Sequence, residues 1–283
     1  MDVFKRTVRN IDHPEAQQGM TPQHRVRPLL PAAMRGDWAA TDPFLALMED
    51  WFPRGVFGKH PHRGIETVTY VLEGRIDHYD NLGHEGVILP GDAQWMTAGR
   101  GLIHNEIPAE GETVHSLQLW INLPASQKMT APRYQDLVGD GVPVRREPGA
   151  EIKVFSGASG VVTAPTKNFV PVTLLEFRLE PGAAVRQDLP GDYNAFVVVL
   201  EGEGAIGAGR KVVAGDVAWL TRSGDAAPSE TLVAASEKPM RALLYAGRPL
   251  RESVVARGPF VMNAEAEIEQ AYADYRAGRF GPA

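Results

Sequence analysis

The octapeptide Thr67-Val68-Thr69-Tyr70-Val71-Leu72-Glu73-Gly74 returns in altered form as Ala195-Phe196-Val197-Val198-Val199-Leu200-Glu201-Gly202. The shift that superposes them also lays Pro53 on Pro181. After a short deletion it lays Gly91-Asp92-Ala93-Gln94-Trp95 on Gly215-Asp216-Val217-Ala218-Trp219. Each copy is a run of β-branched and aromatic residues closed by Glu-Gly, which reads as a buried strand ending in a tight turn. A chain that repeats such a unit is constrained to two related β modules, and 283 residues suffice for both. The expected division is 1–130 and 131–283.

Around the first copy the punctuation is regular. Arg75-Ile76-Asp77-His78-Tyr79 alternates polar and apolar residues, Asp80-Asn81-Leu82-Gly83 is a turn, and Val87-Ile88-Leu89 is followed by Pro90-Gly91-Asp92. Strands this short and evenly spaced predict an all-β sandwich or barrel. Phe44 to Met48 and Val114 to Leu123 read as further strands. Residues 1 to about 43 read as one or two strands with irregular cover, and the proline- and glycine-broken stretch from 124 to about 150 as a linker and lid. Near the C-terminus, Ile268, Ala271, Tyr272 and Tyr275 fall at helical spacing. Asn263 is placed as the N-cap and Gly278 as the stop, predicting one short helix packed on a barrel.

The copies differ in their histidines. His60 and His62 fall on Asp188 and Pro190, Glu66 falls on Asn194, and no histidine follows His115. In a strand, residues two apart share a face, so His60 with His62, and His104 with Glu106, each project together. Facing one another across a barrel, the pairs would offer three imidazoles and one carboxylate, a donor set suited to a divalent first-row transition metal with open positions. Cysteine is absent, which removes thiolate sites and disulfides. A net charge of -6 disfavours broad nucleic-acid binding. No apolar run is long enough for a membrane span, and no signal peptide is evident, so the expectation is a cytoplasmic protein.

His60-Pro61-His62-Arg63-Gly64-Ile65-Glu66-Thr67-Val68-Thr69-Tyr70-Val71-Leu72-Glu73-Gly74 and Gly91-Asp92-Ala93-Gln94-Trp95-Met96-Thr97-Ala98-Gly99-Arg100-Gly101-Leu102-Ile103-His104-Asn105-Glu106 resemble the pirin family of the cupin superfamily. The resemblance implies two tandem jelly-roll-like cupin barrels, of which only the N-terminal one carries a metal. By position it implies His60, His62, His104 and Glu106 as ligands, with Fe(II) the usual ion and Mn, Ni, Cu or Zn as alternatives. It implies activity like quercetin 2,3-dioxygenase, opening flavonol-type substrates with O2, with Glu106 as catalytic base. The alternative is a redox-sensing module that binds a transcription factor or metabolic enzyme. General cupins take a carboxylate from the position of Glu66, which strand parity puts on the same face as His62. Glu66 is therefore a second choice of ligand, or a partner orienting an imidazole. Arg63, Trp95 and Met96 are candidates for a substrate pocket, weighed against a surface ion pair for Arg63 and plain packing for the other two. His78, His84 and His115 are read as structural.

Overall fold

A computed structural model describes residues 3–281. The chain forms two compact units, each all-β. One comprises Glu15–Gly139 with Leu250–Ala283, the other Met1–Pro14 with Asp140–Pro249. These are not the consecutive blocks 1–130 and 131–283 expected from the repeat, because short terminal segments belong to the unit more distant in sequence.

In the first unit a seven-stranded sheet runs in the order Arg133–Leu137, Ala93–Thr97, Ile65–Glu73, Thr113–Asn122, Phe44–Pro53, Arg25–Pro28, Gln17–Gln18. A four-stranded sheet follows the order His60–His62, Leu102–Pro108, Ile76–Asp80, Glu85–Ile88. Ile65–Glu73 is buried from Ile65 through Leu72, which is why it reads as a continuous apolar and β-branched run rather than an alternating one.

The second unit repeats the plan. Its larger sheet is Val144–Glu147, Ala150–Ser156, Val172–Leu179, Met240–Gly247, Asn194–Glu201, Val217–Leu220, Val8–Asp12. The second copy of the octapeptide thus lies between the counterparts of the first copy's two neighbours. Here the interior is filled by side chains including Val154, Phe177, Val197, Val199 and Leu244. Arg6 fastens the N-terminal segment: its buried guanidinium donates to Ser229 Oγ and to the carbonyls of Pro190, Gly191, Tyr193 and Thr221.

The stretch from 124 to 150 is not merely linker. Arg133–Leu137 pairs with Ala93–Thr97, the position that Val8–Asp12 takes on Val217–Leu220. Within residues 1–43, two one-turn helices, Pro31–Met34 and Trp38–Thr41, accompany four short strands. The long helix is Glu265–Arg276, capped at Ala264 rather than Asn263. Glu267 reaches back and accepts from the backbone N–H groups of both residues, half of a capping box. The helix belongs to the first unit, where Ile268 and Ala271 pack with Ile103, Phe260, Met262 and Phe280.

Gly64 separates the two sheets of this unit. Its φ is +80° and a Cβ there would lie 1.9 Å from the Val261 carbonyl oxygen. Gly64→Ala is expected to cost at least about 2 kcal/mol through strain and collision together, read as a lowered urea midpoint with unchanged slope.

Candidate metal centre

His60–His62 pairs antiparallel with Leu102–Pro108, with His60 opposite His104 and His62 opposite Leu102. Opposed residues share a face, and so do residues two along. His60, His62, His104 and Glu106 therefore project together, as strand parity predicts. Gly99 and Gly101, with φ of +52° and +127°, turn the chain into the second of these strands.

The potential ligand atoms of His60, His62 and His104 all lie within 4.8 Å of one another. His60 Nε2 and His104 Nε2 are 2.9 Å apart. That is about the separation of two nitrogens roughly 2.1 Å from one ion and at right angles across it. His60 Nδ1 lies 2.9 Å from the Gly58 carbonyl. A carbonyl can only accept, so Nδ1 carries the proton and Nε2 presents a lone pair. His104 is held from behind by His78, whose Nε2 is 2.8 Å from His104 Nδ1. Neither ring nitrogen of buried His62 makes a well-formed hydrogen bond, the Pro259 carbonyl exerting only a weak pull on the ring, although buried polar groups ordinarily find a partner.

Burial, reinforced by the neighbouring imidazole of His60, lowers the pKa of His62 to about 3 against a weaker opposing pull from the Pro259 carbonyl. Burial also holds His104 well below the ordinary histidine value, with His60, His62 and His78 adding to the effect. Both rings are thus neutral at physiological pH, the state in which imidazole ligates a metal. The donor set fits a divalent ion.

Glu106 lies outside this trio, on the wall of the same cavity. Thr69 Oγ1 donates to its Oε1 at 2.9 Å, and Gln118 Nε2 to its Oε2 at 2.8 Å. The Gln118 amide is oriented in turn by the Trp120 indole, which donates to its oxygen at 3.3 Å. Sequence reasoning missed Thr69, Gln118 and the role of His78. The alternation in Arg75 to Tyr79 carried a signal for the last, since Ile76 and His78 share the buried face of Ile76–Asp80.

Glu66 does not join the imidazoles. The parity argument fails because Gly64 breaks the strand, and His62 and Glu66 belong to different sheets. Glu66 pairs in register with Thr97 and accepts from Thr97 Oγ1 at 2.6 Å, on the face of its strand opposite Thr69. Burial pushes its carboxyl up to about 7 against the pull of Thr97 and nearby Arg133. In the unfolded chain it ionises near the ordinary glutamate value of 4.5. Stability therefore falls as pH rises from about 4.5 to about 7, and stays lower above that window. Glu66→Gln is expected to stabilise the protein by about 2 kcal/mol at pH 8 and not at pH 4.5, measured by urea unfolding at both values.

The three pocket candidates also lie elsewhere. Trp95 is fully buried and pairs with Val68 on the face that carries Glu66. Met96 packs with Leu45, Ile65, Ala98, Leu102 and Val261. Arg63 is buried, donates to the Arg100 carbonyl at 2.6 Å, pairs with Asp274 at 2.8 Å, and stacks 4.4 Å over the Phe280 ring. It fastens the C-terminal helix.

The cavity has a volume of about 630 Å³. His60, His62 and Glu106 form part of its wall; Trp38, Met48, Phe52, Phe57 and Trp120 make much of the rest. An apolar chamber with few convergent polar groups has the character of a small-molecule site.

The sequence profile for Pirin matches residues 33–121, and that for the pirin C-terminal cupin domain matches residues 174–281. A pirin-like protein from Solanum lycopersicum is 43% identical over 244 residues, covering 85% of this chain and 82% of its own. A crystal structure of a quercetin 2,3-dioxygenase from Acinetobacter baumannii is 30% identical, with TM-score 0.86, over 98% of this chain and 99% of that one. A bacterial pirin from Escherichia coli, solved in complex with nickel(II), is 20% identical and shares the fold at TM-score 0.65 or below, 0.63 for the nickel complex, over 85% of this chain and 99% of its own. Profiles on both repeats and relatives matched along most of their length carry one conclusion: this chain is a member of the pirin family, built from two tandem cupin barrels.

Proposed function

We propose that the first barrel is a metal-dependent dioxygenase of the quercetin 2,3-dioxygenase type, opening flavonol-like substrates with O2. The observation that carries the reading is a cluster of three imidazoles, two of which line a large, mainly apolar cavity together with a buried carboxylate. The likeness to the quercetin 2,3-dioxygenase from Acinetobacter baumannii supports it.

His60, His62 and His104 would hold the ion, with Glu106 as the fourth ligand; Fe(II) is the first expectation, and manganese, nickel, copper and zinc are to be compared with it. The bound ion supplies Lewis acidity and a meeting point for O2 and the electron-rich substrate anion. Glu106 takes the proton of the substrate's 3-hydroxyl as it binds, and returns it to the opened product. Thr69 and Gln118 keep that carboxylate aimed into the cavity, and His78 keeps the ring of His104 in place. The aromatic walls exclude water and hold the substrate rings flat.

The test is the aerobic loss of quercetin absorbance by protein loaded with each of the five metals, alongside Glu106→Gln. Metal-dependent loss, reduced at least about 100-fold in the variant, supports the reading. No loss with any metal withdraws it. A metal-state-dependent interaction with a transcription factor or metabolic enzyme would then be the function to test.

A further inference from the structure

One buried anion in the cavity wall is not used by this mechanism. Asp50 sits on Phe44–Pro53, lines the cavity, and is almost fully buried. His24 Nε2 lies 2.8 Å from its Oδ1. The backbone N–H of Met20 donates to His24 Nδ1 at 3.0 Å, which fixes the tautomer: Nε2 carries the proton and donates it to Asp50.

The seat for His24 is built with care for its shape. The Phe57 and Phe52 rings meet it edge-on, at centroid distances of 5.2 and 6.5 Å. At Gly19 even a Cβ would come within 2.2 Å of the His24 ring. Asp50 Oδ2, in contrast, has no protein donor among the described residues. Setting a carboxylate in an apolar wall is costly, and a donor brought to the second oxygen from within the cavity would offset part of that cost. Burial raises the carboxyl to about 6, opposed by its hydrogen bond from His24, so it remains an anion and a strong acceptor at neutral pH.

We propose that Asp50, held by His24, is a hydroxyl-recognising subsite that selects polyhydroxylated aromatic ligands by accepting a phenolic O–H. The proposal rests on the aromatic-substrate reading of the cavity. A ligand engaged at the histidines through one hydroxyl presents its remaining hydroxyls along the walls, where Oδ2 is the anionic acceptor still unengaged. The same charge disfavours aromatic acids.

The test is anaerobic equilibrium binding of quercetin and of 3-hydroxyflavone, which keeps the 3-hydroxyl and lacks the others. Quenching of the tryptophans of the metal-loaded full chain provides the signal. The unsubstituted protein is expected to bind quercetin at least about tenfold more tightly. Asp50→Leu brings the two within about twofold by weakening quercetin alone. Asp50→Asn is a second probe. His24 holds the amide oxygen, so the amide nitrogen turns to the cavity and offers a donor where an acceptor stood; the preference again falls. Thermal unfolding confirms that each variant is folded. An unchanged ratio in folded variants, equal weakening of both ligands, or no binding of either ligand overturns the subsite. Parallel aerobic turnover separates the two readings. Lost preference without turnover removes the oxygenase and keeps the subsite, whereas turnover with an unchanged ratio does the reverse.

Discussion

His62→Leu is expected to abolish metal binding and, at the same time, to stabilise the metal-free protein. The imidazole contributes one of three clustered nitrogens, and a site deprived of one loses most of its affinity. Occupancy should drop from about one ion per chain to below about a tenth at equal free metal. The stability effect has a separate origin. In the metal-free protein both His62 nitrogens are buried without a well-formed hydrogen bond, and replacing such a group by an apolar one of similar volume recovers about 1 kcal/mol. With metal the order reverses, since an ion present at 1,000 times its dissociation constant stabilises by about 4 kcal/mol and acts only on the unsubstituted protein. Elemental analysis and thermal unfolding with and without metal read both effects. A variant that keeps its ion, or that melts lower than the unsubstituted protein when both are stripped, contradicts this account.

Arg63→Ala is expected to cost about 3 kcal/mol and to loosen the C-terminal helix. The residue adjoins a proposed ligand in sequence, but its guanidinium is committed to Asp274, the Arg100 carbonyl and the Phe280 ring. Removing one member of a fully buried pair costs about 3–5 kcal/mol, but here only Arg63 is buried and Asp274 is partly exposed. Gln270 and Arg279 still reach Asp274, which keeps the loss toward the lower end of that range. The pH signature follows from Asp274, whose carboxyl is held down at about 2, chiefly by the hydrogen bond from Arg63. A depressed acid contributes stability above its unfolded value, near 4, and loses it as pH falls through about 2. The variant should therefore show a flatter acid limb in its stability profile. It should also show faster hydrogen exchange across Glu265–Arg276, with metal content unaltered.

Much of the first barrel was legible because its signals are local. Period-two spacing placed His60 with His62 and His104 with Glu106, and the β-branched run in Ile65–Glu73 marked a central strand. Glu66 was misplaced because counting by twos presumes an unbroken strand, and one left-handed glycine two residues earlier ends it. Arg63 and Trp95 show a related limit. Motif density around the histidines suggested a pocket, yet a side chain beside a ligand in sequence points to the other side of its strand as often as not. Gln118, His24 and Asp50 were invisible for a different reason: Gln118 and Asp50 reach the cavity from separate strands, His24 meets Asp50 from the turn before a third, and no spacing rule links them.

The assignment of residues 250–281 to the histidine-bearing unit has a consequence for biosynthesis. That barrel stays uncovered on one side when its own strands have left the ribosome, because the helix that Arg63 anchors is translated only after the whole of the other unit. A nascent chain halted near residue 140 would expose the surface meant for Ile268 and Phe280, and supplying the missing tail as a separate peptide should restore its compactness.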